Sequence, residues 1–216
     1  GVILITTKTG KDTQGKITID YTNFLGWKTP TLLTDYVDNT ADHMTLTNMA
    51  QVNSGFDPIY TQDLINEWRE KSKTDPIGYP NTNWWDWIIK KNRVMNHNIS
   101  ARGGNSKVNF YSSMNYFDDD GLVPNTGFRR YNFRNNLTYQ ANKWLKLGNN
   151  LTLISTKGSP ASIDGIFTWL RASGTSALPK HPDGRYGGPQ LPGAASTNNI
   201  LRSAETTRGE VAGTRI

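Results

Sequence analysis

A mainly β fold, antiparallel and up-and-down like the strands of a transmembrane barrel seen in part, is what this 216-residue sequence predicts. Three observations carry the expectation. Apolar and polar residues alternate with period two over stretches of roughly 10 to 14 residues, where a globular strand has ~5 to 6 and a membrane strand ~9 to 11. The connections between these stretches alternate between very short and very long, which is the rhythm of outer-membrane barrels. Aromatic residues gather near the strand ends, at Trp27, Tyr116, Tyr131, Tyr139 and Trp144, where interfacial girdles sit.

The first strand is expected at about residues 15–27, with Ile17, Ile19, Tyr21, Leu25 and Trp27 on one face and Lys16, Thr18, Asp20 and Thr22 on the other. Further strands are expected at about 95–102, 107–118, 128–140 and 144–156, and another starts near 206–216. Val108, Phe110, Met114 and Tyr116 oppose Asn109, Tyr111, Ser113 and Asn115; Tyr131, Phe133, Leu137 and Tyr139 oppose Arg130, Asn132, Arg134 and Asn136. Leu145, Leu147, Leu151 and Leu153 continue the apolar set, in which Ser112, Asn135 and Asn149 are misfits. The short connections are the glycine turn Gly103–Ser106 and the stretch Ala141–Lys143; the long ones run from about Lys28 to Arg93 and from about Lys157 to Arg202. Alternation by itself fits a soluble β-sandwich equally well.

Helical insertions are expected in the long first connection. Asp38–Gln51 starts on an Asp or Asn cap, although its threonines weaken it. Tyr60–Lys71 is the stronger helix, with Leu64, Ile65 and Trp68 on one side. The tryptophan-rich stretch Asn81–Lys91 reads as a capped helical turn whose rings either pack internally or offer a stacking platform to a sugar. The last long connection holds Pro179, Pro182, Pro189 and Pro192 and is expected to be irregular and locally stiff.

Composition narrows the function classes. With no cysteine there is neither a disulfide nor a thiolate centre. The net charge of +6 is spread along the chain without the basic run of a nucleic-acid arm. No window approaches the ~20 apolar residues of a membrane helix. His43, His97 and His181 lie far apart without metal-ligand spacing. Asp118–Gly121 lacks the alternation and closing Glu of a calcium loop and is expected to be a hairpin turn. The glycine-rich GGNS and YGGP have no phosphate-loop context. Neither an enzyme active site nor a cofactor is therefore expected.

The opening GVILITTKTG followed by GKITIDYTNFLGWKTP resembles the junction of plug and first barrel strand in the SusC-like family of TonB-dependent outer-membrane transporters. YPNTNWWDWI, NHNISARGGNSKVNFYSSMNYFDDDGLVPNTGFRRYNFRNNL and WLKLGNNLTL agree with it in order and spacing, and HPDGRY and NNIL agree more loosely. Family members are several times longer, and the sequence opens without Met inside an apolar run. The resemblance therefore implies a piece: residues 1–10 as the end of the plug, with Gly1–Lys8 its last strand, and residues 11–216 as the N-terminal part of the barrel.

The resemblance further implies active import of a glycan or peptide across a bacterial outer membrane, with a SusD-like lipoprotein as lid and the TonB complex as energy source. The connections Lys28–Arg93, Asp118–Gly127 and Lys157–Arg202 would be extracellular and the short turns periplasmic. Substrate contacts are expected from Trp84, Trp85, Trp169, His181, Arg185 and Tyr186. Two other classes follow from the residues alone. Seven Trp, nine Tyr and seven Phe with abundant Asn fit a secreted carbohydrate-binding β-sandwich, and a pI near 9.5 fits a nucleic-acid binder.

Overall fold

The computed structural model describes residues 13–31, 35–159, 163–191, 199–206 and 211–215. The plug strand expected at Gly1–Lys8 lies outside them. Six strands form one antiparallel sheet in sequence order: β1 (Ile17–Lys28), β2 (Asn92–Gly104), β3 (Val108–Asp120), β4 (Gly127–Gln140), β5 (Lys146–Ser159) and β6 (Val211–Arg215). Each of the first five is 12 to 14 residues long, longer than a membrane strand needs.

Both short turns use the same device. Asn105 Oδ1 accepts from the backbone N–H of Lys107 (2.8 Å) and Val108 (2.9 Å). Asn142 Oδ1 accepts from Trp144 (3.1 Å) and Leu145 (2.9 Å). An asparagine side chain thus supplies the turn that backbone alone would have to make. The first turn begins two residues later than expected, because Gly103 and Gly104 still pair with Phe110 and Asn109 and belong to the strand. The aspartates Asp118–Asp120 are likewise strand residues, not a turn. The chain reverses after them, beginning at Gly121, where a Cβ would sit 1.7 Å from the Thr126 hydroxyl. β2 is longer than expected because Asn92 and Arg93 extend the ladder opposite Lys28 and Trp27.

The register sorts the side chains into two faces. One row reads Tyr21, Ile99, Met114, Phe133 and Leu153 across five strands; its neighbours are Ile17, Gly103, Phe110 and Leu137, then Val108, Tyr139 and Leu147. Ser112 and Asn135, misfits by sequence, are direct partners there and satisfy one another, the serine hydroxyl donating to Asn135 Oδ1 at 2.6 Å. The opposite face carries Thr22, Asn98, Asn115 and Asn132 in one row and Asn96, Phe117, Arg130 and Thr156 in the next. No other layer covers the apolar face among the described residues: Ile19 is 67% exposed, Met114 52% and Leu147 52%. A sandwich would have buried this face, so the closed core expected of the sandwich alternative is not found here.

Of the aromatic residues expected at strand ends, Tyr116 and Tyr131 join a connected row, whereas Trp27 lies opposite Arg93, and Tyr139 and Trp144 lie at the opposite end of the sheet, by the Asn142 turn. Tyr21 stacks on His97 (ring centroids 6.2 Å apart), His97 on Tyr116 (6.4 Å), and Tyr116 lies against Tyr131 (4.9 Å). The Tyr21 hydroxyl is 2.7 Å from His97 Nδ1. One step beyond it, Asp118 receives Arg129 Nε (2.9 Å), the Tyr116 hydroxyl (3.1 Å) and, as an ion pair, Arg93 (3.6 Å). The face therefore changes from apolar through aromatic to charged towards the end that carries the long connections.

At that end the chain builds a helical cap. The first connection folds into α1 (Thr40–Asn53), α2 (Gln62–Lys71) and α3 (Trp84–Ile88), and each starts on a side-chain cap: Asn39 to Asp42 N–H, Thr61 to Leu64 N–H and Asn83 to Trp85 N–H. The third, expected to be irregular, contains α4 (Ile163–Ala172) and α5 (Ile200–Thr206). The buried apolar residues of the described structure lie mainly here. Met44, Ile65, Trp68 and Leu191 make one cluster; Trp84, Ile88, Val123, Ile166, Leu170 and Ile200 are in the other.

Within the described residues the sheet stays open, with β1 and β6 as its outer strands. Together with the uncovered apolar face, this predicts that the 216-residue segment expressed alone aggregates or needs detergent. Size-exclusion chromatography with and without detergent checks it; a monodisperse soluble monomer that melts cooperatively would contradict this arrangement.

Candidate functional site

The cap is a joint product of connections distant in sequence, and buried threonines fasten them. Thr40 Oγ1 contacts the Thr175 hydroxyl and the Pro80 carbonyl, each at 2.8 Å. Thr82 donates its N–H to Thr175 O (2.9 Å) and its hydroxyl to Ala177 O (2.8 Å). Small β-branched hydroxyls suit such a seam because they lose little rotamer entropy on burial and satisfy backbone carbonyls that no ladder reaches. The middle connection joins as well: Lys90 N–H donates to Leu122 O at 2.8 Å, and Asn125 Nδ2 donates to Ala204 O at 3.1 Å and to Glu205 O.

A cleft of about 210 Å³ opens along the seam between the first and third connections. Its wall includes Tyr36, Asp38, His43, Trp85 and Arg171, with Thr82 and Thr175 at its base. Tyr36 and Trp85 lie ring on ring, 5.4 Å apart and 16° from parallel, and Phe167 backs Trp85 at 5.8 Å. The indole N–H of Trp85 is buried without a hydrogen-bond partner, the kind of group that a ligand or a water would satisfy. An aromatic wall flanked by a carboxylate, an imidazole and a guanidinium can hold a flat apolar surface and its polar rim together. None of these groups is arranged for covalent chemistry, and no cluster of metal-ligating side chains occurs among the described residues.

The expected contact residues divide between this cleft and other places. Trp84 and Trp85 both line it. Trp84 is only 4% exposed, donates Nε1–H to Gly174 O at 3.1 Å and packs in the cap core, so its ring supports the wall from within. Trp169, on α4, is 42% exposed and is the accessible tryptophan of that helix. His181, Arg185 and Tyr186 belong to a separate turn. There His181 N–H donates to Arg185 O (2.7 Å), Gly184 takes φ +89°, and Arg185 Nε pairs with Asp183 (2.7 Å). Tyr186 donates its hydroxyl to Glu205 (2.7 Å), which Lys180 also approaches at 3.3 Å, and that bond pushes the phenol above its ordinary value. Tyr186 is thereby tied to α5.

Sequence reasoning missed Tyr36 and Arg171 and weighed His43 only as a metal ligand. The tertiary seam that joins them leaves no periodic trace. In the last long connection, expected to be irregular and locally stiff, Ser176, Ala177, Leu178, Pro179 and Leu191 are buried, so this stretch is part of the cap core and not a free loop.

Two outcomes follow from this geometry. Trp84→Ala in the complete protein leaves a large cavity and should cost the cap ~3 to 5 kcal/mol while the sheet persists; hydrogen exchange localised by mass spectrometry should show faster exchange over α3 and α5 with β2–β5 unchanged. The Asp183 carboxylate is held below its ordinary range first by the Arg185 N–H and then by the Arg185 guanidinium. A depressed carboxylate contributes stability above the unfolded value and loses it as pH falls through the folded one. Protection of the Gly184 and Arg185 amides, taken relative to the intrinsic exchange rate at each pH, should therefore fall on acidification below the ordinary carboxylate range, and Asp183→Asn should abolish that pH dependence.

Similarity to known proteins agrees with the geometry. No protein-family model matches the chain. It is 31% identical over 140 residues to TonB-dependent receptor P26 of Formosa agariphila, an alignment covering 62% of this chain and 13% of that protein. TonB-dependent receptor P3 of the same organism is 26% identical over 175 residues, covering 81% and 15%. TonB-dependent receptor SusC of Bacteroides thetaiotaomicron is 28% identical over 137 residues, covering 63% and 12%. The chain thus spans about a seventh of the length of these relatives or less. Among solved structures, the RagAB peptide importer in its 'open-open' state matches with a TM-score of 0.59 at 22% identity, over 87% of this chain and 23% of that one. The 'closed-closed' state gives 0.58 over the same share of this chain and 24% of the other. At this identity the structural likeness speaks for the fold.

Proposed function

We propose that this chain, SusC-like and of the TonB-dependent transporter kind in sequence and fold, is barrel wall and outer loop structure of an importer that carries a glycan or peptide across a bacterial outer membrane. The observation that carries the reading is the two-faced sheet capped at one end. Its apolar face, graded through an aromatic row to charge, suits lipid and then headgroups; its asparagine-rich face suits a wet lumen; its cap stands where cargo would arrive. On this reading the three long connections are extracellular, and the turns at Asn105 and Asn142 face the periplasm. Residues 1–10 belong to the plug, residues 11–216 to the barrel, and energy comes from the TonB complex through parts of the protein beyond this chain. A SusD-like lipoprotein closes over the cap as a lid.

The cleft supports a binding role over a catalytic one. The stacked pair of Tyr36 and Trp85 offers the outer face of Tyr36 and the Trp85 indole N–H to a pyranose or to an apolar side chain with a polar rim, and His43, Asp38 and Arg171 offer the polar partners. Trp169 and the turn carrying His181, Arg185 and Tyr186 extend the contact surface outward. A peptide cargo is the reading that the fold likeness to a peptide importer favours, and a glycan the one that the stacked rings favour.

Growth of a strain dependent on the cognate nutrient tests the site. Tyr36→Ala with Trp85→Ala should slow uptake about tenfold or more, as loss of the aromatic wall with its stacking face and indole N–H implies, while the heat-modifiable barrel band persists. Unchanged uptake would remove the cleft from the mechanism. Sidedness has its own measurement. Arg at Phe110 or Leu137 in the complete barrel should cost ~2 to 4 kcal/mol by equilibrium unfolding in lipid, whereas Asn109→Ala or Asn136→Ala should cost far less. Equal tolerance of both rows would contradict a membrane wall.

A further inference from the structure

The polar face of the sheet is electrostatically lopsided. Two carboxylates lie on it along β1 to β5, and both are taken: Asp119 pairs with Lys28, and Asp20 stands 3.9 Å from Arg102. These pairs occupy the β1–β3 half. On the other half, Arg130, Arg134 and Arg215 face the same way, as the register Asn132 opposite Ile154 opposite Arg215 requires. None of the three has a carboxylate partner among the described residues.

Arg130 is also positioned. Its guanidinium carbon lies 5.6 Å from the centre of the Phe117 ring on the neighbouring strand, a cation–π contact that fixes the plane of the fork. Its Nε is buried without a hydrogen-bond partner. Together with Asn132 on the adjacent row, whose amide Nδ2 is a donor, it lines a cavity of about 430 Å³ that Ile154, Thr156 and Arg215 also line. Two guanidinium groups and an amide thus line a space with no anion in its wall, the Thr156 hydroxyl being used by the Gly213 carbonyl at 3.3 Å. Leaving a charged donor buried and unpaired is costly, and a planar two-oxygen acceptor matches the arginine fork. The volume suits one acidic unit, not a whole oligomer.

We propose that Arg130 and Arg215, with Asn132 beside them, form a carboxylate-binding site on the polar face that receives anionic cargo. The site rests on the transporter reading, in which this face lines the lumen. It assigns the cargo a charge: an acidic glycan or an acidic peptide, which share the group recognised.

The test uses the complete transporter, purified in detergent, and calorimetric titration with two probe pairs. Tetragalacturonate is compared with its methyl ester, and tetraglutamate with tetraglutamine. Wild type should bind the charged member of one pair about tenfold tighter or more than its neutral partner, as a charge-assisted bidentate contact implies; which pair shows it identifies the source of the carboxylate. Arg130→Gln and Arg215→Gln should each erase that preference, and Arg130→Lys, which keeps the charge and loses the fork, should retain part of it. A preference that survives both glutamine variants overturns the proposal. So does a wild type indifferent to charge in both pairs. If that indifference comes with a lower melting temperature in unliganded Arg130→Gln, the carboxylate belongs to the transporter's own chain. A heat-modifiable barrel band and nutrient-dependent growth of the wild type keep the two readings apart: both can hold while the charge preference fails, and their loss would remove the transporter reading itself.

Discussion

The unbroken antiparallel ladder from β1 to β5 is the constraint on which everything else in this chain depends. Because side chains alternate strictly along a strand, a slip of one residue between any two neighbours would send the whole set of one strand to the wrong face. Opposite Met114 the register puts Ile99 and Phe133, and opposite Asn115 it puts Asn98 and Asn132. Two asparagine turns hold it, each clamping two backbone N–H groups with one side-chain oxygen. Once the register is set, the apolar band, the aromatic row and the arginine-rich wall follow without further choice.

The cap depends on the ladder in a different way. The up-and-down order brings the long connections to one end of the sheet, and only their proximity allows Thr40 to meet Thr175 and Val123 to join α3 and α5 in one cluster. Its burial is therefore non-local, with partners such as Thr40 and Thr175 separated by 135 residues. Such contacts form late, after the loops that carry them have been closed, and the ladder lowers that entropic cost by fixing where the loops begin and end. The cleft at Tyr36 and Trp85 lies on this seam. A binding surface made this way can vary with its loops while the wall beneath it stays the same.

Sequence made the wall legible because period two is a local signal. Strands, faces and the two short turns could be read from Ile17–Trp27 or Tyr131–Tyr139 alone, with errors of a few residues at the ends. The errors have a physical source: Gly103, Gly104 and Asp118–Asp120 have turn-forming chemistry, and neighbouring strands hold them in the ladder. The cap was half legible. Capping residues marked α1 and α3, and the apolar spacing of Leu64, Ile65 and Trp68 marked α2, whereas α4 and α5 were hidden among glycines and prolines that look like loop. The site was the least legible. Trp84 and Trp85 are adjacent, chemically identical and both on the cleft, yet helical geometry buries the first in the core and leaves the second half-buried with an unpaired indole N–H. No pattern in the chain links Tyr36 to Arg171.

The central claim is that one face of this sheet meets lipid and the other a watery lumen. The absence of cysteine from the sequence makes a direct test practicable, because single cysteines placed along Tyr131–Tyr139 report on their own positions within this segment. Spin labels at each of these positions in the complete, liposome-reconstituted protein can be read by collision with oxygen, which partitions into lipid, and with a water-soluble nickel chelate. The account predicts strict alternation along the strand, with oxygen collisions high at Tyr131, Phe133, Leu137 and Tyr139 and low at Asn132, Arg134 and Asn136. Accessibility without period two, or with the opposite phase, would contradict it.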